Sequence, residues 1–416
     1  MKLTKYSLGM GDRFGHQGTF QLKAIMAALK QGVEITPVWN KSNREHSIIH
    51  TLPRDTRIAA DEAVKAMNYK GPYFVDADHI NMSNVDKFIE HSDFFTIDVA
   101  DYIGKMAEPE LTNKSFEKLK FLIGSLKIPG ISEAMQIDSG ILKKAIDKYL
   151  FAVLEAGKIF RHILEKKGNG NFIAEISMDE VDIPQSPIEL YIILALISEE
   201  KIPVQTIAPR FTGRFNKGVD YVGDINVFKK EFEEDILVID FAVEKFGLPE
   251  NLKLSVHSGS DKFSIYPAIK EILKKHDKGI HIKTAGTTWL EEVIGLALAG
   301  GDSLALVKEI YFGALLRMDE LCAPYAQVID IDKSKLPSQE EVKKWEGQKY
   351  ANTLRHIPEN PDYNPNFRQL IHVGYKMAVE HGDQYYAFLE KYPEIVGKQV
   401  FENLYNRHLC RLFDLE

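Results

Sequence analysis

Six apolar runs in this chain end in strings of polar, chemically capable residues. The strings are Gly11-Asp12-Arg13-Phe14-Gly15-His16, Asp76-Ala77-Asp78-His79, Glu175-Ile176-Ser177-Met178-Asp179-Glu180, His257-Ser258-Gly259-Ser260-Asp261-Lys262, Lys283-Thr284-Ala285-Gly286-Thr287 and Arg368-Gln369-Leu370-Ile371-His372. All but the last follow a segment that reads as a buried strand. A charge at the edge of an apolar interior is costly unless a metal, a substrate or another charge meets it. A parallel strand with such residues at its C-terminal end is how a β/α barrel builds an active site.

Eight extended segments, near residues 6–9, 35–39, 73–76, 94–98, 172–177, 203–208, 252–256 and 280–283, alternate with helical patterns. The helical stretches are 18–30, 55–67, 84–91 with Ser83 as N-cap, 113–124, 141–167, 187–199, 227–246, 266–276 and 287–299. Eight strands alternating with helices fit an α/β protein, a (β/α)8 TIM-type barrel, with an open doubly wound sheet as the alternative that counting leaves. Residues 303–416 read mostly as helix around a polar loop at 358–366, a helical C-terminal region expected to pack on the barrel. The expectation is one barrel domain over 1–416, with the barrel at about 5–330 and the extension at about 331–416.

Composition narrows the function. The chain has 416 residues, 44% hydrophobic and 27% charged, the balance of a soluble globular enzyme. A net charge of −8 argues against a nucleic-acid partner, because phosphate neutralisation needs a basic face. An anionic small substrate needs only one or two placed cations. Cys322 and Cys410 imply no disulfide framework. With no apolar leader after Met1 and no run of 18 apolar residues, a cytoplasmic location and no membrane contact are expected. A homo-oligomer is left open. Walker loops, Gly-x-Gly-x-x-Gly turns, His-Glu-x-x-His helices and Gly-x-Ser-x-Gly elbows are missing.

The strings carry distinct chemistry. Asp76 and Asp78 share a strand face by period two, and His79 follows; imidazole with carboxylate suits Zn²⁺, Mn²⁺, Ni²⁺ or Fe²⁺. The bland alternative is an ion pair and a capped turn. Glu175, Ser177 and Asp179 alternate on one face, with Glu180 opposite. His257 comes straight off a strand, and Ser258 to Ser260 with Lys262 could cradle an anion. His281 and Lys283 alternate on the last strand, which would point Lys283 into the barrel as a Schiff-base amine, a substrate clamp or a buried ion-pair partner. The basic loop Arg210–Gly218 reads equally as an anion site or a surface loop. His372, on an apolar helix, reads equally as a ligand or a core histidine.

Taken together, Gly9-Met10-Gly11-Asp12-Arg13-Phe14-Gly15, Asp76-Ala77-Asp78-His79, Phe95-Thr96-Ile97-Asp98, Ser177-Met178-Asp179-Glu180, Arg210-Phe211-Thr212-Gly213, Lys217-Gly218-Val219-Asp220-Tyr221, His257 to Ser264, His281 to Thr287 and Arg368 to His372 resemble the tagaturonate/fructuronate epimerase family of hexuronate catabolism. The resemblance runs from about Tyr6 to Lys376. It departs at the start, where longer members carry an additional N-terminal region, near Gln17-Gly18 and over 141–166. It implies a metal-dependent epimerase that interconverts D-tagaturonate and D-fructuronate by inversion at C4, of retro-aldol type. It also selects the strings for a site: His79, Glu180, His257 and His372 as ligands of a divalent Zn, Mn, Ni or Fe ion; Asp78, Asp179 and Lys283 as catalytic groups; and Asp12, Arg13, Arg210, Ser258 and Lys262 as substrate-binding groups. The rival readings are a related sugar or sugar-acid isomerase or aldolase, and a non-catalytic barrel that binds a sugar acid.

Overall fold

In the computed structural model, residues 1–258, 260–284 and 287–416 are described. Each extended run is buried along nearly its whole length, as a parallel strand covered by helices outside and packed side chains inside must be. The strands are β1 (Tyr6–Gly11), β2 (Ile35–Ser42), β3 (Phe74–Ile80), β4 (Phe94–Asp98), β5 (Ile173–Ser177), β6 (Thr206–Ala208), β7 (Lys253–His257) and β8 (Ile280–Thr284). They pair in parallel in chain order, and β1 closes on β8 with Tyr6 opposite Ile280. The sheet is therefore a closed eight-stranded barrel wrapped by helices, not the open doubly wound alternative.

Most helices fall where periodicity sets them, including Gly18–Lys30, Pro187–Glu199 and Tyr266–His276. Three segments differ. Residues 84–91 form only a short 3-10 turn, Val85–Lys87, preceded by Asn84 rather than a Ser83 cap. There, Asn84 Oδ1 accepts from the Asn81 backbone N–H at 3.0 Å, a local bond that competes with helix continuation. Beyond the helix Pro109–Leu119 the chain turns into a small hairpin, Gly124–Leu126 with Met135–Ile137. β3 runs on through Asp78 and His79 to Ile80, with a register shift against β4 between Ala77 and Ile80 and His79 at φ 52°. A bulge at a barrel rim re-aims side chains, and this one turns His79 toward the mouth.

The C-terminal residues build a second apolar core around the helix Thr287–Ala299, whose Trp289, Val293 and Ile294 pack with Phe367, Ile371 and Val396. Phe14, from the loop after β1, and Ile49, from the short helix Asn43–Ile49 after β2, belong to the same core. Contact with the helix Pro393–Glu402 is so close that a Cβ on Gly295 would lie 2.6 Å from Val396 Cα. No described helix is long and apolar enough to cross a membrane.

Candidate active site

The C-terminal ends of the strands open into a cavity of about 560 Å³ lined by residues of β2, β3, β7, β8 and the loops above them. A second lobe of about 440 Å³ shares Arg44, Asp179, Glu180, Lys217, His257 and Tyr325 with it.

At its floor stands Lys283, buried and opposite Gly9 of β1 and His257 of β7. A Cβ on Gly9 would sit 2.8 Å from Lys283 Cγ, so only glycine leaves the lysine its path. Lys283 Nζ lies 2.7 Å from Asp76 Oδ2, 2.8 Å from Asp78 Oδ1 and 3.1 Å from Glu175 Oε1, and donates to Thr96 Oγ1. Burial disfavours the ammonium, but three carboxylates outweigh it and hold it well above the ordinary lysine value. Burial pushes Asp76 up to about 7 against the pull of Lys283. For Asp78, Lys283 and His79 overcome the burial cost and hold it at about 2.

Above this floor two histidines face each other, with ring centroids 5.3 Å apart. His257 Nε2 lies 2.9 Å from Glu175 Oε1, and its Nδ1 lies 3.3 Å from Asp179 Oδ1 without hydrogen-bond geometry, leaving that buried nitrogen without a partner. His79 Nδ1 is 3.0 Å from Asp98 Oδ2. Burial works against both imidazolium forms; Asp179 and Glu175 nevertheless raise His257 to about 9, and Asp78 and Asp98 raise His79 well above its ordinary value. Asp179 accepts from Ser177 Oγ at 2.5 Å and is held low, His257 outweighing its burial. His79, Asp179 and His257 each offer one ligand atom within 4.8 Å of the others, and His79, Asp98 and Glu180 do the same.

The sequence-expected residues divide by place. Asp78, His79, Asp179, Glu180, His257, Lys283, Arg13 and His372 line the main cavity, and Arg210 lines the second lobe. Arg13 donates to Glu45 Oε1 at 2.7 Å, so its charge is already met. His372 is buried and in neither group of ligand atoms; among the described residues both its ring nitrogens lack partners. Three expected substrate contacts are spent elsewhere. Asp12 accepts from the backbone N–H groups of Gly15 and Gln17 at 2.9 and 2.8 Å, capping the turn into the first helix. Ser258 Oγ donates to the Lys283 carbonyl at 2.6 Å. Fully buried Lys262 donates to the carbonyls of Asn216 and Val219 at 2.9 and 2.7 Å, an arrangement that satisfies an ammonium facing away from the cavity. Gly259, the centre of the expected anion cradle, and Ala285-Gly286 lie outside the described residues.

Beside Lys262, Asp261 forms a buried hub. It accepts from Arg368 Nη2 at 2.9 Å, lies 3.0 Å from His408 Nε2 and 3.4 Å from His356 Nδ1, and is held well below the usual carboxylate range because Arg368 and the two histidines outweigh its burial. His408 reaches it from the π-helical turn Asn403–Leu409, so this carboxylate ties the C-terminal helices to the β7 loop.

Other cavity residues carried no clear sequence signal. Asn40, at the rim of β2, is buried, and among the described residues both its amide atoms are unpaired. Arg44 and Tyr325 come from two separate short helices, and they meet Lys217 of the basic loop Arg210–Gly218, which the sequence offered as an anion site or a surface loop. Asp98 stood at a predicted strand end, but only the fold shows it behind His79.

The tagaturonate epimerase (UxaE) family model matches residues 1–413. A tagaturonate/fructuronate epimerase of Thermotoga maritima is 28% identical over 419 residues, spanning 97% of this chain and 80% of that protein. A glycerol-complexed fructuronate-tagaturonate epimerase from Cohnella laeviribosi shares the fold at a TM-score of 0.80 and 22% identity, covering 99% of this chain and 82% of that one. The native form of that enzyme matches at a TM-score of 0.76 with the same coverage. With a match over nearly its whole length, the chain belongs to the tagaturonate epimerase family.

Proposed function

We propose that this protein interconverts D-tagaturonate and D-fructuronate by inversion at C4, using a divalent Zn, Mn, Ni or Fe ion at the barrel mouth. The observation that carries the reading is the meeting of His79, Asp179 and His257 above Lys283 in a chain of this family. Two imidazoles and a carboxylate suit such an ion, and among the described residues the buried Nδ1 of His257, 3.3 Å from Asp179 Oδ1, makes no hydrogen bond. His79, Asp179 and His257 would hold it, with Glu180 and Asp98 beside His79. The ion supplies a Lewis acid for the oxygens at C2 and C3 when bound. Asp179 thus moves from the proton-transfer role expected of it to the ligand set, and His372 leaves that set.

C4 lies β to the C2 ketone, so the C3–C4 bond can open by a retro-aldol step. The bonding pair moves toward C2 and C3, the C4 hydroxyl loses its proton, and C4 becomes an aldehyde. Rotation of that aldehyde and reclosure invert the centre, and the proton returns to the oxygen. Asp78 Oδ1 accepts and returns this proton. Lys283, 2.8 Å away, keeps Asp78 ionised and holds it in place. The amide of Asn40, without partners among the described residues, has two N–H donors and an acceptor oxygen to offer sugar hydroxyls. A Schiff-base route through Lys283 is disfavoured, because an ammonium held by three carboxylates is not a nucleophile.

NMR of D-tagaturonate with metal-loaded protein in D₂O tests this reading. Fructuronate that keeps its proton at C4 is expected. No conversion, or deuterium at C4, contradicts it.

A further inference from the structure

The cavity lining mixes acidic and basic groups. It includes Asp78, Asp98, Asp179 and Glu180 with the two facing histidines. It also includes Arg44, Lys217 and His372. Among the described residues, neither Arg44 nor Lys217 has a carboxylate within ion-pair distance, although both border a cavity in a protein with a formal net charge of −8. Arg13, in the same lining, is neutralised by Glu45 and stacked 4.1 Å over the Tyr375 ring.

This arrangement is built by the fold. The Lys217 backbone N–H donates to the Val328 carbonyl at 2.7 Å, and Arg368 Nε donates to the Gly218 carbonyl at 2.5 Å. Gly218 has φ +79°, and a Cβ there would come within 3.4 Å of His372 Cβ. A glycine is needed for the loop to press against the helix Pro365–Val373 and bring Lys217 beside His372. Arg44 sits with its guanidinium 5.6 Å from the centre of the Tyr325 ring. His372 is 1% exposed, lines the cavity and has two ring nitrogens without partners. Burial, then Arg13 and Lys217, keep it neutral, so one nitrogen carries a proton to donate. A buried donor without a partner among the described residues, beside a lysine that no carboxylate pairs and in a cavity that Arg44 also borders, suits an anionic guest.

We infer that Lys217, Arg44 and His372 form the subsite for the carboxylate of a sugar acid, and that Lys217 sets the preference for the acid over the neutral ketose. The inference rests on the epimerase reading for the identity of the sugar, and it replaces Lys262, whose ammonium is bonded inside the protein. It also orients the substrate, with the carboxylate end on Lys217 and the ketone end toward His79 and His257.

Calorimetric titration of metal-loaded protein with D-tagaturonate and with D-tagatose tests it, with KM and kcat followed by NMR. Lys217→Met is expected to weaken D-tagaturonate binding about 10- to 100-fold, the cost of losing a charge-assisted bond, with the kinetic loss in KM. The acid-to-ketose selectivity falls by a similar factor, and Lys217→Arg recovers most of it. Arg44→Gln, at an exposed position where folding is not at issue, moves the same way. Equal losses for both sugars would make Lys217 a general support and overturn the inference. So would D-tagaturonate affinity within about threefold of wild type in both charge-removing variants, or no binding of D-tagaturonate to wild type. If wild type binds no D-tagatose, the D-tagaturonate loss and its recovery in Lys217→Arg decide. Because binding is read apart from turnover, a protein that binds D-tagaturonate through Lys217 without epimerising it sinks the reaction and leaves the subsite.

Discussion

Lys283 shows how much one residue can organise. Its ammonium meets Asp76, Asp78 and Glu175 where no water competes, and each of those carboxylates depends on it. Removing one member of a buried charge set leaves the others uncompensated, at a cost of about 3–5 kcal/mol. Lys283→Met is therefore expected to lose about that much in urea unfolding as well as activity; a variant of wild-type stability would mean the carboxylates are compensated otherwise. At this scale the sequence is informative about place and poor about partners. Period-two alternation puts Asp76, Asp78 and Lys283 on inward faces, and it is the fold that joins Lys283 to Asp78 across 205 positions. For Arg13 and Lys262 the charge was visible, but its use was not: Glu45 and two backbone carbonyls, from segments with no string of their own, had already claimed them.

At the scale of elements, the site depends on joints between strands and helices. The bulge in β3 lets Asp78 reach Lys283 while His79 turns to Asp98, a departure from strict alternation that no pattern of apolar residues encodes. Strand and helix positions were otherwise legible, because apolar runs bounded by Gly, Pro and polar strings set them within a few residues. The residue 84–91 segment was misjudged because Asn side-chain bonds outbid helix formation there. Asp261 is the joint for the C-terminal helices, binding Arg368 one turn before His372. Its folded pKa is depressed, so its stabilisation is complete above the ordinary carboxylate range and is lost progressively as pH falls from that range toward the much lower folded value. Asp261→Asn leaves Arg368 buried without its counter-charge and is expected to cost about 3–5 kcal/mol at neutral pH. A loss below about 1 kcal/mol, read by urea unfolding, would show that Gly218 and Leu354 carbonyls suffice to hold Arg368.

Across the whole molecule, two apolar cores adjoin, and the charged residues are divided among surface pairs, a polar barrel mouth and the buried Asp261–Arg368 hub. Buried neutral histidines make stability fall in mild acid. His46 is lowered to about 3, by burial and then by Lys41, and so stays neutral in the fold while the unfolded chain takes up a proton below its ordinary value. The unfolded state then binds more protons, and stability drops by roughly 2 kcal/mol from this group between pH 7 and 5. Urea unfolding of His46→Gln should show a pH 7-to-5 loss smaller than wild type by about that amount; equal losses would place its proton uptake elsewhere. The barrel, its polar mouth and the family were readable from ordered strings spread over most of the chain, and the basic loop that carries Lys217 was visible too, whereas Arg44 and Tyr325 join it only in three dimensions. In the proposed reading, His79, Asp179 and His257 hold a metal on which C4 inversion depends. NMR of D-tagaturonate with chelator-stripped protein, before and after addition of Mn²⁺, Zn²⁺, Ni²⁺ or Fe²⁺, tests it for wild type and His257→Asn, with bound metal counted in each. Fructuronate should form only after metal is restored, and His257→Asn should lose bound metal and at least about 10²-fold in rate. Full conversion by stripped protein, or normal metal content and turnover in His257→Asn, would contradict the account.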